Sequence, residues 1–334
     1  GLIILSLDPS AWLLTLSCMI RPMRPHPVLT MALFYIVVQA GAVLLAPLFL
    51  PQMEGFPDPN DPINPLIYIA MVLVMTGIML VLIRFGRRRI LQTIFYIAIF
   101  ITLLYVFTPL LLEAELSLSP ESTGWPSLIG AIAIAIVLIV ALTKSGEWYV
   151  INAVGLILAV GITAILGMAL GILPVMILLI IMAVYDAIAV YKTKHMVALA
   201  EGVAPMRLPM MFVVPNRKGF SMDHLEEEGG ISRRDGQERA AFFMGVGDTV
   251  IPGILTVSAS IYLPAVDSFI LTANLWVALG TIAGGLLGYL LLLRYVMRGK
   301  PQAGLPFLNS GAILGYLVTY LIVYRDIGLS AIGL

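Results

Sequence analysis

The sequence predicts an all-α polytopic membrane protein with nine transmembrane helices, its N-terminus cytoplasmic and its C-terminus extracytoplasmic. Three observations carry that reading. Hydrophobic residues fill 60% of the 334 positions and charged residues 11%, against roughly 45–50% and 25% in soluble domains. Apolar runs long enough to cross roughly 30 Å of hydrocarbon recur along the chain. Lysine and arginine fall in alternate connections between those runs, as they do when one face of a membrane collects positive charge.

Residues 1–20 are apolar but broken by Asp8-Pro9, with no basic leading region and no Ala-x-Ala-like site. They read as part of an N-terminal segment, 1–27, rather than as a signal peptide. Spans are expected at about 28–50, 64–83, 90–112 and 126–142. The stretch Trp148 to Tyr191 is too long for one helix. Its Gly167-Met-Ala-Leu-Gly-Ile-Leu-Pro174 string supplies a break, giving spans near 149–167 and 172–191. A hydrophilic connection, 192–241, then separates these six helices (28–191) from three more at about 242–262, 272–293 and 306–324, within a second block, 242–334. In the connection, Thr193 to Ala204 is compatible with a short helix. Leu208-Pro-Met-Met-Phe-Val-Val-Pro215 is a Pro-bounded apolar run whose residues suit a strand or an interfacial loop. Asn216 to Glu238 is of mixed charge and contains Gly229-Gly230.

With the N-terminus inside, eighteen of the nineteen basic residues fall in inner segments and only Arg325 lies outside, while Glu54, Asp58, Asp61, Glu113, Glu115, Glu121 and Asp267 occupy outer connections. A wrong span count would scramble this alternation. The zero net charge and the lack of a basic face with interleaved aromatics argue against a nucleic-acid partner. A single cysteine, Cys18, excludes an internal disulfide. His26, His195 and His224 lie far apart in or beside polar segments, so no metal or cofactor is implied.

Two carboxylates stand out because an unpaired charge in hydrocarbon costs several kcal/mol. Asp248 lies in Gly245-Val-Gly-Asp-Thr-Val-Ile-Pro-Gly253, with no other acidic or basic residue from Ala240 to Leu263. Asp186 lies in Ile-Ile-Met-Ala-Val-Tyr-Asp-Ala-Ile-Ala-Val-Tyr, ahead of Lys192 and Lys194. Counting helical rise from Lys192 and from Arg239 puts them about 9 Å and about 13 Å from the inner edge. They are expected to meet on adjacent antiparallel helices, toward the cytoplasmic half of a cell membrane.

Two carboxyl groups that close in a low-dielectric site do not both ionise, and so share one proton. The ionised member can take a proton from water, while the other polarises a peptide carbonyl and later protonates the leaving amine. Peptide hydrolysis is then available without metal, serine or cysteine. Gly245 and Gly247 remove side chains just before Asp248, and Pro252 and Gly253 weaken the helix one turn later, so that neighbouring spans must satisfy a freed carbonyl. Ordinary close packing of helices is the plainer reading of these small residues.

At this point the residues resemble a family. Val184-Tyr185-Asp186 with Ala-Val-Tyr-Lys downstream, Gly245-Val-Gly247-Asp248, and Ala303-Gly304-Leu305-Pro306 look like the three ordered motifs of the presenilin and signal peptide peptidase intramembrane aspartyl proteases, most of all the archaeal presenilin homologues. The resemblance covers nearly the whole chain after about residue 23. It implies Asp186 and Asp248 as the catalytic pair, with Tyr185, Gly245, Gly247, Leu305 and Pro306 around the substrate. It also implies transmembrane-helix proteins in a lipid bilayer as substrates. The third motif departs, since Ala303-Gly304 stand where Pro-Ala is usual. The presenilin loop between the sixth and seventh spans carries an autoproteolytic site with no identifiable counterpart in this shorter loop. The rival from another class is a proton- or cation-coupled transporter using the same aspartates, but nine spans do not halve and no internal repeat is visible. A prepilin-peptidase-like enzyme would add a Cys-rich module that this sequence lacks.

Overall fold

A computed structural model describes residues 25–49, 56–145, 147–193, 208–216, 241–267, 270–296 and 302–325. The N-terminal segment before residue 25, the expected short helix after Thr193 and the mixed-charge stretch after Asn216 lie outside the described residues.

Nine helices occur among the described residues: α1 (Pro25–Phe49), α2 (Asn64–Arg84), α3 (Arg88–Leu118), α4 (Trp125–Lys144), α5 (Trp148–Ala169), α6 (Ile172–Ile188), α7 (Val246–Tyr262), α8 (Ala273–Val296) and α9 (Leu305–Tyr324). Eight of them, counting α6 as far as Lys192, are long and apolar enough to cross a membrane. The remaining one, α7, has 17 residues. The fold is thus mostly helical, with large apolar side chains such as Leu44, Val137 and Ile322 turned outward, as expected where the surrounding medium is lipid.

The helix boundaries follow the chain's punctuation. Pro65, Pro126 and Pro306 sit at the first positions of α2, α4 and α9, where no N–H is needed. The Gly171 turn separates α5 from α6, its N–H bonding to the Pro59 carbonyl at 2.8 Å. α8 and α9 approach so closely that a Cβ on Gly284 would run into the backbone of Gly311 and Gly315, the close helix contact that small residues allow in membranes. α2 lies outermost, with only Asn64 and Pro65 buried.

All-α is not the complete description. Met211–Pro215 forms β1 and Ala241–Gly245 forms β2, an antiparallel pair in the register Met211↔Gly245 to Pro215↔Ala241. The seventh helix therefore starts at Val246 rather than 242. The depth of Asp248 cannot be counted at helical rise from Arg239, because Ala241–Gly245 are extended. The physical reason lies in burial: Phe212 and Val213 are almost fully enclosed, so the run is part of the protein core and not a loop dipping into lipid. Once inside, its backbone must find partners, and β2 supplies them.

Candidate functional site

The two sequence-selected aspartates reach one place from different elements. Asp186 sits in the last turn of α6 and is 2% exposed. Asp248 is half-buried in the first turn of α7, where Gly245 is the N-cap and the partial positive charge of a helix start favours a carboxylate. Both converge on the start of α9. The Leu305 N–H donates to Asp186 Oδ2 at 3.0 Å. One residue earlier, a Cβ built on Gly304 would lie 3.0 Å from Asp248 Oδ2.

Several contacts fix that arrangement. Beyond Ile188 the chain widens into a π-helical turn, Ala189–Thr193, a feature often found at functional sites. From it the Tyr191 hydroxyl donates to Gln302 Oε1 at 2.8 Å and accepts from the Ala303 N–H at 3.3 Å. Asp186 and Tyr191 thus grip successive parts of the Gln302–Leu305 segment. One turn into α9, Asn309 Nδ2 donates to the Leu179 carbonyl at 2.9 Å, locking α9 against α6. Ser258 Oγ ties α7 to the Leu170 carbonyl at 2.9 Å.

The other expected site residues are placed unevenly. Leu305 is buried in the cluster that joins α6, α7 and α9, and half-buried Tyr185 packs against it. Pro306 is half-buried at the start of α9. At Gly245 a Cβ would press on Asp248 Oδ2 at 3.3 Å, whereas Gly247 is exposed and a Cβ there would meet nothing within 4 Å. Gly247 instead faces a cavity of about 330 Å3, lined by Phe95, Ile99, Leu158, Met210 and Val246 among others.

Sequence reasoning missed three contributors. Gly304 appeared only as a departure from a motif, yet it packs against Asp248 more tightly than Gly245 does. Gln39 and Asn152 are amides within apolar runs, a signal as legible as a lone aspartate. Asn152 Nδ2 donates to the Val213 carbonyl at 2.7 Å and its Oδ1 accepts from the Val213 N–H at 2.9 Å. Those backbone groups must point away from β2, so the outer edge of β1 is closed at its centre by a side chain imitating a strand. In the same register Val246 N bonds to the Met210 carbonyl at 2.9 Å, which turns the Phe243 N–H and C=O to the outer edge of β2. Among the described residues, that edge carries no further strand.

The family model described as signal-peptide peptidase, presenilin aspartyl protease matches residues 31–324. Two solved structures of a presenilin family intramembrane aspartate protease are similar to this chain. The one in space group C222 is 35% identical, with a TM-score of 0.63, covering 89% of this chain and 99% of its own. The one in P2 is 34% identical, with a TM-score of 0.62 and coverages of 89% and 98%. No curated protein matches significantly. The match spans all three motifs and every described helix except the first turns of α1, and its relatives share both fold and a third of the sequence: this chain belongs to the signal-peptide peptidase and presenilin aspartyl protease family, as a multi-pass intramembrane aspartic endopeptidase.

Proposed function

We propose that Asp186 and Asp248 share one proton and together hydrolyse peptide bonds within transmembrane helices of substrate proteins. The observation that carries this is the convergence of both carboxylates on the Gly304–Leu305 backbone. The ionised carboxylate removes a proton from water as its oxygen attacks the scissile carbonyl carbon. The protonated one stabilises the developing oxyanion and then hands its proton to the leaving amine. The Leu305 N–H holds Asp186 in one rotamer, so the pair is preorganised before substrate arrives. The transporter reading gains no support from the family match.

A substrate helix screens its peptide bonds with its own hydrogen bonds, so it must be opened and offered new partners. The outer edge of β1 is occupied at Val213 by Asn152. The outer edge of β2 instead leads within three residues from Gly245 to Asp248 and can take an extended peptide as an added strand. Nine spans, a cytoplasmic N-terminus, an extracytoplasmic C-terminus and a site toward the cytoplasmic half of the cell membrane complete the proposal, supported by the distribution of basic residues.

The decisive experiment is cleavage of a single-span substrate by purified protein. Asp186→Ala and Asp248→Ala should each abolish turnover while the protein still melts cooperatively, because a shared-proton pair loses acid and base together. Substantial cleavage by either variant would sink the dyad.

A further inference from the structure

Inside the core, a side chain of α1 reaches the helix that carries Asp248. Gln39 is 0% exposed. Its Nε2 donates to the Thr249 carbonyl at 3.1 Å, and its Oε1 accepts from the Thr256 hydroxyl at 2.6 Å. The two partners lie seven residues apart on α7, one on each side of Pro252. Proline has no N–H to offer the Asp248 carbonyl and its ring crowds the preceding turn, so α7 is weakest directly after the aspartate. The helix nevertheless runs unbroken from Val246 to Tyr262.

We propose that Gln39 is a positioning residue for the reaction, a carboxamide clamp that spans the Pro252 defect and fixes the turn of α7 bearing Asp248. The clamp has a fitted seat. A Cβ on Gly253 would lie 3.2 Å from Gln39 Nε2, 3.3 Å from Oε1 and 2.6 Å from Thr163 Cγ2, so glycine at 253 leaves the space the amide fills. Thr249, the clamp's backbone anchor, directly follows Asp248 and is itself held by its hydroxyl donating to the Val246 carbonyl at 2.8 Å. An amide suits the place because it donates and accepts at once, whereas a hydrocarbon would withdraw both the added donor to the Thr249 carbonyl and the acceptor of the Thr256 hydroxyl. Gln39 touches neither carboxylate; it acts through the backbone.

The proposal rests on the dyad reading, and its test keeps the two apart. Gln39→Leu should lower kcat about 10- to 100-fold, the scale of loss produced by a small misplacement of a reacting group. KM for a single-span substrate should stay within about twofold, since substrate binding is untouched. Rates are normalised to the folded fraction, measured by thermal melting of the same preparation. Thr256→Val should lower kcat in the same direction and Thr256→Ser, which keeps the hydroxyl, should retain more of it. The double variant Gln39→Leu with Thr256→Val should be no slower than Gln39→Leu alone, because both remove one clamp. A wild-type kcat in Gln39→Leu, a loss that vanishes on normalisation, or a loss confined to KM would overturn the positioning role. If Gln39→Leu does not fold, the threonine pair decides, and equal kcat for Thr256→Val and Thr256→Ser overturns it. Turnover by Asp248→Ala in the same assay would bring down the dyad reading and the clamp with it.

Discussion

Asn152→Leu removes the side chain that closes the outer edge of β1 and leaves shape and position otherwise similar. Two bonds are lost, at 2.7 and 2.9 Å, both in a place where Asn152 is 3% and Val213 1% exposed. An unsatisfied buried backbone group costs about 1–3 kcal/mol, so the Val213 N–H and C=O together cost about 4 kcal/mol. The leucine returns part of this, about 2 kcal/mol for an apolar side chain kept from water. The polar loss wins by about 2 kcal/mol. At roughly 2–4 °C per kcal/mol for domains of 150–250 residues, the melting temperature should fall by about 4–8 °C or somewhat less in this longer chain. Asn152→Asp should be worse, because it keeps an acceptor for the Val213 N–H but sets a charged oxygen against the Val213 carbonyl. Since β1 holds β2 and β2 runs into the helix start bearing Asp248, turnover of a transmembrane substrate should fall in the same order. Thermal melting in detergent micelles and cleavage of a single-span substrate measure the two effects. A leucine variant with wild-type melting temperature and turnover would refute the view that Asn152 acts as a surrogate strand.

Three further outcomes are expected. Gly304→Val should cut turnover sharply while binding of an inactive substrate persists, since even a Cβ there would lie 3.0 Å from Asp248 Oδ2 and branched methyls would displace the carboxylate; unimpaired cleavage would show that Asp248 has room to spare. Phe243→Pro withdraws one outward N–H from the open edge of β2 without breaking a bond to β1. It should slow cleavage of a transmembrane substrate more than of a short extended peptide, and equal effects on both would mean that the helix is opened elsewhere. Activity should trace a bell against pH, lost in acid when both carboxylates are protonated and in alkali when both are ionised; a profile flat across both limbs, with the fold intact, contradicts a shared proton.

The sequence by itself determined the class of the protein and its two candidate acids. Apolar runs of membrane length are a local property, set by composition and interrupted by Gly171, Pro174 and the charged connections, so the described helices fall within a few residues of their expected places. Asp186 and Asp248 were conspicuous for the same reason, since charge in hydrocarbon is rare and costly whatever surrounds it. Only the tertiary structure decided that Phe242 and Phe243 belong to a strand. Their apolar side chains serve a helix as well as a sheet, and the choice was made by Met211–Pro215, some thirty residues away in sequence. Nor does any local pattern bring Gly304 to Asp248, Asn152 to Val213, or Gln39 across more than two hundred residues to Thr249. Those pairings arise because buried backbone groups and amides must find partners somewhere, and which partner lies within reach is fixed by how the helices pack.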